Sequence, residues 1–479
     1  MKAVRSTRAG NWQPPRALRT ILLGALLPLT LSSTAQTSQH LATSADVTTA
    51  AAPATVATRY ESPTQPLAYR TSLLRAADTM PPAQGFNVAD FENIAALLTA
   101  GERVPGMAMA IVQDGRVLSA RGYGVTDVAA PQPVDAHTPF RLASLSKSFA
   151  AALTGLLVDD GHLRWDSKVV DYVPDFRLSD PVATQQLNVA DLLSHRTGLK
   201  VHNAFDRDIE ANAAYTDVSH KLAYAPMECA PGQCYAYQNV AFSLVGDMVK
   251  SATGSDYGPL VAERIFKPLG MNDASVGLAG MQSSAHWARP HTRGRNGWVS
   301  QTPKPTYYRL APAAGVNASA SDMAQWLLAQ TGHRTDVLPM PLLATLHAPL
   351  IATPGEMRSG WRRDRIGSAG YALGWRVFDY AGHAVVFHAG AVQGYRGLVA
   401  LVPERDLGIA ILWNSESSVP SGLLPTFLDR AIGLPTQRWL DLPDDELLLA
   451  EAPSTTPEAP ANDKQPAGVA SGQATASPK

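Results

Sequence analysis

Ser144 and Lys147 are the one serine–lysine pair in this chain set three apart in that order, and an apolar pattern follows at once: Phe149, Ala150, Leu153, Leu156 and Leu157. Apolar residues recurring three and four apart predict an amphipathic helix with a buried face. They put Ser144 at its start and Lys147 one turn along on the same side. A serine hydroxyl is a weak nucleophile unless a base stands beside it, and a lysine amine is a base only where burial and nearby positive charge lower its pKa. The free N–H groups of a helix N-terminus act the same way: they disfavour an ammonium ion and favour a developing oxyanion. One S-x-x-K also describes an ordinary helix start with a solvated lysine, so the rest of the chain has to decide.

The 479 residues, 45% hydrophobic and 17% charged with a net charge of -1, leave room for a large core. No Lys/Arg run occurs beyond the first residues, which sets nucleic-acid binding aside. Lys2, Arg5, Arg8, Arg16 and Arg19 precede an apolar run from Ile21 to Leu31, broken by Gly24 and Pro28 and followed by Ser33 and Ala35. That is the layout of a secretory signal peptide over residues 1–35; the run is short for a bilayer span, so no stable membrane insertion is expected after cleavage. The mature protein is expected to be exported, periplasmic or secreted. Residues 36–84 read as a flexible leader, 85–450 as the folded domain and 451–479, rich in Pro, Ala, Thr and Ser, as a disordered tail. Cys229 and Cys234 are the two cysteines, close enough to form a disulfide in an oxidising compartment and without a histidine at zinc-like spacing.

Along the domain, Asn87 with Asp90 three residues on marks a helix start that runs to Gly101. Met107–Gln113 and Arg116–Gly122 read as strands joined by Asp114-Gly115, a tight hairpin signal. A short helix over Val189–Leu193 runs into Ser194-His195, which reads as a structural turn because adjacent side chains point apart. Tyr237 and Asn239 precede a helical run, where polar groups often line a cleft, though a core tyrosine and a capping asparagine fit the same pattern. The stretch from Asn272 to Ser300 reads as loop, with His286 and His291 on its surface. Helices are expected at 321–331, 339–346 and 424–432, and an antiparallel meander at 371–380, 383–388, 398–402 and 407–412. The fold class that follows is α+β: an antiparallel sheet built from both chain ends and flanked by helices, plus a mostly helical inserted region.

Several segments in one order resemble the serine β-lactamase and penicillin-binding protein superfamily, in the branch with class C β-lactamases, D-amino-acid peptidases and esterases. Val104-Pro105-Gly106 resembles its first strand, and Thr138-Pro139-Phe140-Arg141-Leu142-Ala143 leads into S-x-x-K. LLSHRTGL is similar to L-L-x-H-x-S-G-L with Thr197 for the commoner serine, Tyr237-Gln238-Asn239 to Y-x-N, and His388-Ala389-Gly390 to H-x-G. The resemblance spans residues 87–433 and implies a β-lactamase/transpeptidase-like fold in which Ser144 forms an acyl-enzyme. Lys147 and Tyr237 would share the proton transfers, either being the base, and Asn239 would orient Lys147 and the substrate amide. The backbone N–H groups of Ser144 and of Ala391, after Gly390, would form the oxyanion hole.

Most β-lactamases of this branch carry lysine where His388 stands, and a neutral imidazole is a poor partner for a drug's carboxylate. H-x-G instead resembles the peptidase version, in which the histidine donates towards Tyr237 or the substrate. The expected function is a serine hydrolase of D-amino-acid peptides or cell-wall fragments; a small-ester esterase, a β-lactamase and a non-catalytic cell-wall ligand-binding module are the alternatives. No cofactor or metal is expected, the partner is a small-molecule or peptide substrate, and the oligomeric state stays open.

Overall fold

The computed structural model describes residues 79–443 apart from Thr436. The signal segment, the leader before residue 79, and the tail lie outside the described residues. In chain order the strands are Gly106–Gln113 (β1), Arg116–Gly124 (β2), Phe140–Arg141 (β3), Ser275–Val276 (β4), His291–Gly294 (β5), Gly297–Ser300 (β6) and Val316–Ala318 (β7). They continue with Ile351–Ala352 (β8), Ile366–Tyr371 (β9), Arg376–Tyr380 (β10), His383–Val392 (β11), Tyr395–Val402 (β12) and Leu407–Trp413 (β13). Eight of them form one sheet in the order β2-β1-β13-β12-β11-β10-β9-β8. All its pairings are antiparallel, and β1 from the N-terminal side joins β13 from the C-terminal side.

Local chemistry accounts for the first elements. Asn87 caps the helix Val88–Ala100 by accepting from the Ala89 N–H at 3.1 Å, which satisfies one of the end's free donors. Asp114 and Gly115 both have positive φ, 48° and 71°, as a two-residue turn needs to match the strand twist. In β1 the side chains alternate between two cores. Met107, Met109 and Ile111 pack with Phe91, Leu98, Leu423 and Phe427 from the helices Val88–Ala100 and Leu423–Ile432. Ala108, Ala110 and Val112 face the helical region on the other side, with Phe149, Leu153, Trp326 and Leu327. The helices Ser146–Asp159 and Ala320–Gln330 meet there through Phe149 stacked on Trp326, ring centroids 3.9 Å apart.

Five expectations need correction. The helix after S-x-x-K is not amphipathic: every residue from Ser146 to Leu157 is buried, because the sheet lies on one side and the inserted helices enclose the rest. Residues 272–300 are not a loop throughout but hold β4, the helix Leu278–Gln282 and the β5–β6 hairpin. His291 is fully buried within this segment: its Nδ1 bonds the Asn414 carbonyl at 2.9 Å and its Nε2 accepts from the Val128 N–H at 3.1 Å. The 371–380 segment is two strands with a turn at Ala372–Trp375 between them. The last residues of the stretch read as leader are bonded to the domain, since Met80 and Ala83 donate to the Glu404 and Ala431 carbonyls at 2.9 Å each. No helix among the described residues is long and apolar enough to cross a membrane.

Candidate active site

Ser144 sits in a single 3-10 turn, Ala143–Leu145, between β3 and the buried helix, and is the one half-exposed residue in the run from Phe140 to Leu156. The turn is sharp because Ala143 takes a left-handed φ of 49°, a conformation that costs an alanine roughly 1–3 kcal/mol and recurs at functional sites. The β11 strand comes so close that a Cβ on Gly390 would stand 2.3 Å from the Leu142 carbonyl oxygen and 3.2 Å from the Ser144 nitrogen. Only glycine permits that approach. Gly374, with φ of 73°, plays the same part below: a Cβ there would meet the Lys147 carbonyl oxygen at 2.5 Å.

Lys147 is fully buried. Its Nζ lies 2.6 Å from Asn239 Oδ1, 3.1 Å from the Ala313 carbonyl and 3.2 Å from Ser144 Oγ. Asn239 is held in that orientation because its Nδ2 donates to Asp206 Oδ2 at 2.7 Å and to Asn203 Oδ1 at 3.3 Å. Two of the amine's directions therefore face obligate acceptors, and the third faces the serine hydroxyl, which suits a neutral amine that donates twice and takes a proton on its lone pair. Burial lowers the Lys147 pKa well below its ordinary value; the negative charge of Asp206 opposes this and Arg376 adds to it.

The Tyr237 phenol lines the same cleft as Ser144, and burial raises its pKa while the Arg376 charge and the Ser144 hydroxyl work against that. Tyr237 is therefore a phenol at neutral pH and not a phenolate. The Lys147 Nζ stands 4.7 Å from the Tyr237 ring centroid, so serine, lysine and tyrosine converge as the sequence predicts. Ser144 and Tyr237 line a cleft of about 510 Å³ together with Asp206, Tyr235, Glu356, Arg376, Gly390 and Ala391, and Lys147 lies buried behind it. Beyond Phe387 the edge of β11 is free of β10, which pairs with residues 383–387 alone. Ala391 stands opposite Arg396, one step from the pair Val392–Tyr395 that closes a two-residue hairpin, so the antiparallel alternation turns its N–H away from β12, and Ala391 lines the cleft.

His388 is placed differently from expectation. It is 1% exposed and points away from the cleft, with Nδ1 2.8 Å from the Ala389 carbonyl and Nε2 3.0 Å from the Tyr371 hydroxyl. Tyr371 in turn lies 3.1 Å from Nε2 of His195, whose Nδ1 accepts from the Gln238 N–H at 3.1 Å. A backbone N–H can only donate and a carbonyl can only accept, so both tautomers are fixed from the ends of the chain. His195 donates to Tyr371, Tyr371 donates to His388, and His388 donates to Ala389. Burial, followed by the charges of Lys147 and Arg376, lowers the pKa of both histidines well below its usual value and keeps them neutral.

His388 thus has no proton to give Tyr237 or a substrate; it is a positioning residue beside the Tyr237 ring, with centroids 6.4 Å apart. Ser194 and His195 do point apart, Ser194 Oγ donating to the Ala190 carbonyl at 2.6 Å. Yet His195 is more than a turn residue, since it packs 4.2 Å from the Tyr237 ring. Sequence reasoning missed Tyr371, Asp206 and the Arg376–Glu356 pair, 2.6 Å apart. Nothing in their local patterns marks them. Cys229 and Cys234 are disulfide-bonded, closing the loop just before Tyr235-Ala236-Tyr237.

An antiparallel sheet whose free strand edge faces a serine, a lysine and a tyrosine, all beneath a helical region, is a β-lactamase/transpeptidase-like fold. The Beta-lactamase family model matches residues 91–433, and the chain belongs to that family. Among known relatives it is 26% identical over 370 residues to Unguisins hydrolase ungD of Aspergillus violaceofuscus, covering 71% of this chain and 65% of that protein. It is 24% identical over 316 residues to Protein flp of Staphylococcus aureus, covering 66% of this chain and 60% of that protein. The chain thus spans less than two thirds of the length of these curated relatives. Among solved structures, the octameric penicillin-binding protein homologue from Pyrococcus abyssi superposes with a TM-score of 0.65 at 23% identity, over 74% of this chain and 79% of that one.

Proposed function

We propose that the protein is an exported serine hydrolase that works through an acyl-enzyme on Ser144 and acts on peptides, of the D-amino-acid or cell-wall type. The observation that carries the chemistry is Ser144 Oγ, 3.2 Å from the Lys147 Nζ, in a cleft that the Tyr237 phenol also lines. Lys147 takes the hydroxyl proton as Oγ attacks the carbonyl, and the oxyanion develops against the backbone N–H groups of Ser144 and Ala391. Tyr237, kept protonated by burial, gives its proton to the leaving nitrogen as the C–N bond breaks and is reprotonated from Lys147. Water then attacks the acyl carbonyl as Lys147 takes its proton, and that proton passes to Oγ as the acyl C–O bond breaks, which restores the Ser144 hydroxyl and the neutral amine.

The free β11 edge supports a peptide substrate, because unpaired strand N–H and C=O groups bond an extended backbone. The disulfide supports export, since such bonds persist in oxidising compartments. The neutral, inward-turned His388 favours peptide over β-lactam, as it presents no cation to a drug's carboxylate. The test is hydrolysis of a D-Ala-D-Ala peptide, a nitrophenyl ester and a chromogenic cephalosporin by native protein and by Ser144→Ala. Peptide release lost in Ser144→Ala is the expected result. Ester turnover without peptide release makes the protein an esterase, and cephalosporin turnover alone a β-lactamase. No Ser144-dependent turnover at all leaves a binding module.

A further inference from the structure

Tyr237, Gln238 and Asn239 are all held by one short segment, residues 201–206. Tyr237 donates its backbone N–H to His202 Nδ1 at 2.9 Å and accepts at its carbonyl from the Asn203 N–H at 2.7 Å. Gln238 donates from Nε2 to the Val201 carbonyl and accepts at Oε1 from the Ala204 N–H at 3.1 Å. Asn239 Nδ2 completes the set through Asn203 and Asp206. The segment takes this shape against its own preference, since Asn203 and Phe205 both have left-handed φ, 52° and 65°. Such conformations persist where the surroundings over-determine them, and they gather at functional sites.

The tie at Tyr237 differs from those beside it. The N–H groups of Ala236 and Gln238 are held by the carbonyl and Nδ1 of the buried His195, whereas that of Tyr237 is held by the side chain of an exposed residue. His202 lines the cleft with Ser144, and its ring centroid lies 5.7 Å from that of Tyr235. A backbone N–H can only donate, so Nδ1 accepts with its lone pair and the ring's proton sits on Nε2. The bond fixes the backbone from which the Tyr237 phenol projects. A group that hands a proton to a departing atom tolerates little displacement, and a shift of about 1 Å can cost on the order of 10²-fold in rate.

We propose that His202 is a positioning residue for Tyr237: through Nδ1 it sets the tyrosine backbone so that the phenol meets the leaving group. The inference rests on the hydrolase reading above and gives His202 a part in its proton-donating step.

The test compares kcat/KM for the ethyl and 4-nitrophenyl esters of N-acetyl-D-alanine. Ethoxide has to be protonated as it leaves, whereas nitrophenolate is a weak base and leaves without a proton, so the ratio of ethyl to nitrophenyl ester reads the proton donor and not the fold. In His202→Ala that ratio should fall about tenfold or more. His202→Asn, which sets an acceptor oxygen where Nδ1 stands, should restore it. His202→Gln, whose longer side chain sets its polar group nearer the Nε2 position, should not. Crystal structures of the variants read the same tie without turnover: Tyr237 should keep its place in His202→Asn and shift in the other two. The inference is overturned if the ratio stays at its native value, or Tyr237 keeps its place, in His202→Ala, or in His202→Gln should the alanine variant not fold. It is equally overturned if His202→Asn loses as much as they do. Turnover of neither ester by the native protein removes the hydrolase reading, and the crystal structures then decide the place of His202 by themselves.

Discussion

A nucleophilic serine needs a base that is neutral at working pH, and here that property is assembled from neighbours that lie far off in the chain. Asn239 joins Lys147 to Asp206, so the Asp206 charge, two hydrogen bonds from the amine, favours the ammonium form against the burial that disfavours it. Activity should rise with pH as Lys147 loses its proton. Asp206→Asn removes a charge that raises the lysine pKa, so the acidic limb of a kcat/KM profile for the nitrophenyl ester should move to lower pH. A limb that stays put or moves up would dissociate Asp206 from the base. His388 gives a second prediction at this scale. Lysine there replaces a neutral acceptor with a buried cation near Arg376, so His388→Lys should destabilise the fold by about 3–5 kcal/mol in urea denaturation. It should gain nothing towards carboxylate-bearing β-lactams.

Three elements set the cleft: the Ser144 turn, the β11 edge and the loop that carries Tyr237. The first two are locked by close backbone approach at Gly390 and Gly374. The third is a loop tied at several points: Gly232 donates to the Arg196 carbonyl at 2.7 Å, Ala236 to the His195 carbonyl at 3.0 Å, and Tyr237 to His202 Nδ1 at 2.9 Å. The Cys229–Cys234 bond closes a ring that contains the first of these ties and ends just before the second. Replacing both cysteines by serine should cost about 2 kcal/mol, the loop-closure term for so short a ring, in thermal denaturation. It should also lower kcat more than it raises KM, because the loop carries a catalytic phenol. Reductant should reproduce both losses in the native protein and leave the double serine variant unmoved.

At the scale of the molecule, the sheet separates two cores, and the chemistry belongs to one of them. On the far side Phe427 is fully buried, with ring centroids 5.3 Å from Phe86 and 5.1 Å from Phe91. Phe427→Ala should therefore remove about 3–5 kcal/mol of stability by opening a cavity. The kcat of the remaining folded protein should stay at the native value, since the sheet stands between that cavity and Ser144. A matching fall in kcat well below the melting temperature would mean that the two cores are coupled.

Much of this was legible in the chain itself. The Asp114-Gly115 hairpin, the Asn87 cap, the strand alternation and the S-x-x-K and Y-x-N spacings depend on turn chemistry and periodicity, which act over a few residues and leave their record there. From the turns and alternation follows the antiparallel sheet built from both ends, while the meeting of Ser144, Lys147 and Tyr237 was legible through the resemblance of the motifs to the serine β-lactamase and penicillin-binding protein superfamily. The direction in which His388 points and the lowered pKa of Lys147 left no such record. Tyr371 lies 176 residues from His195, and Asn239 lies 92 from Lys147. A buried polar group takes its tautomer, its charge and its free valences from whatever the packing brings against it, and only the folded chain decides what that is.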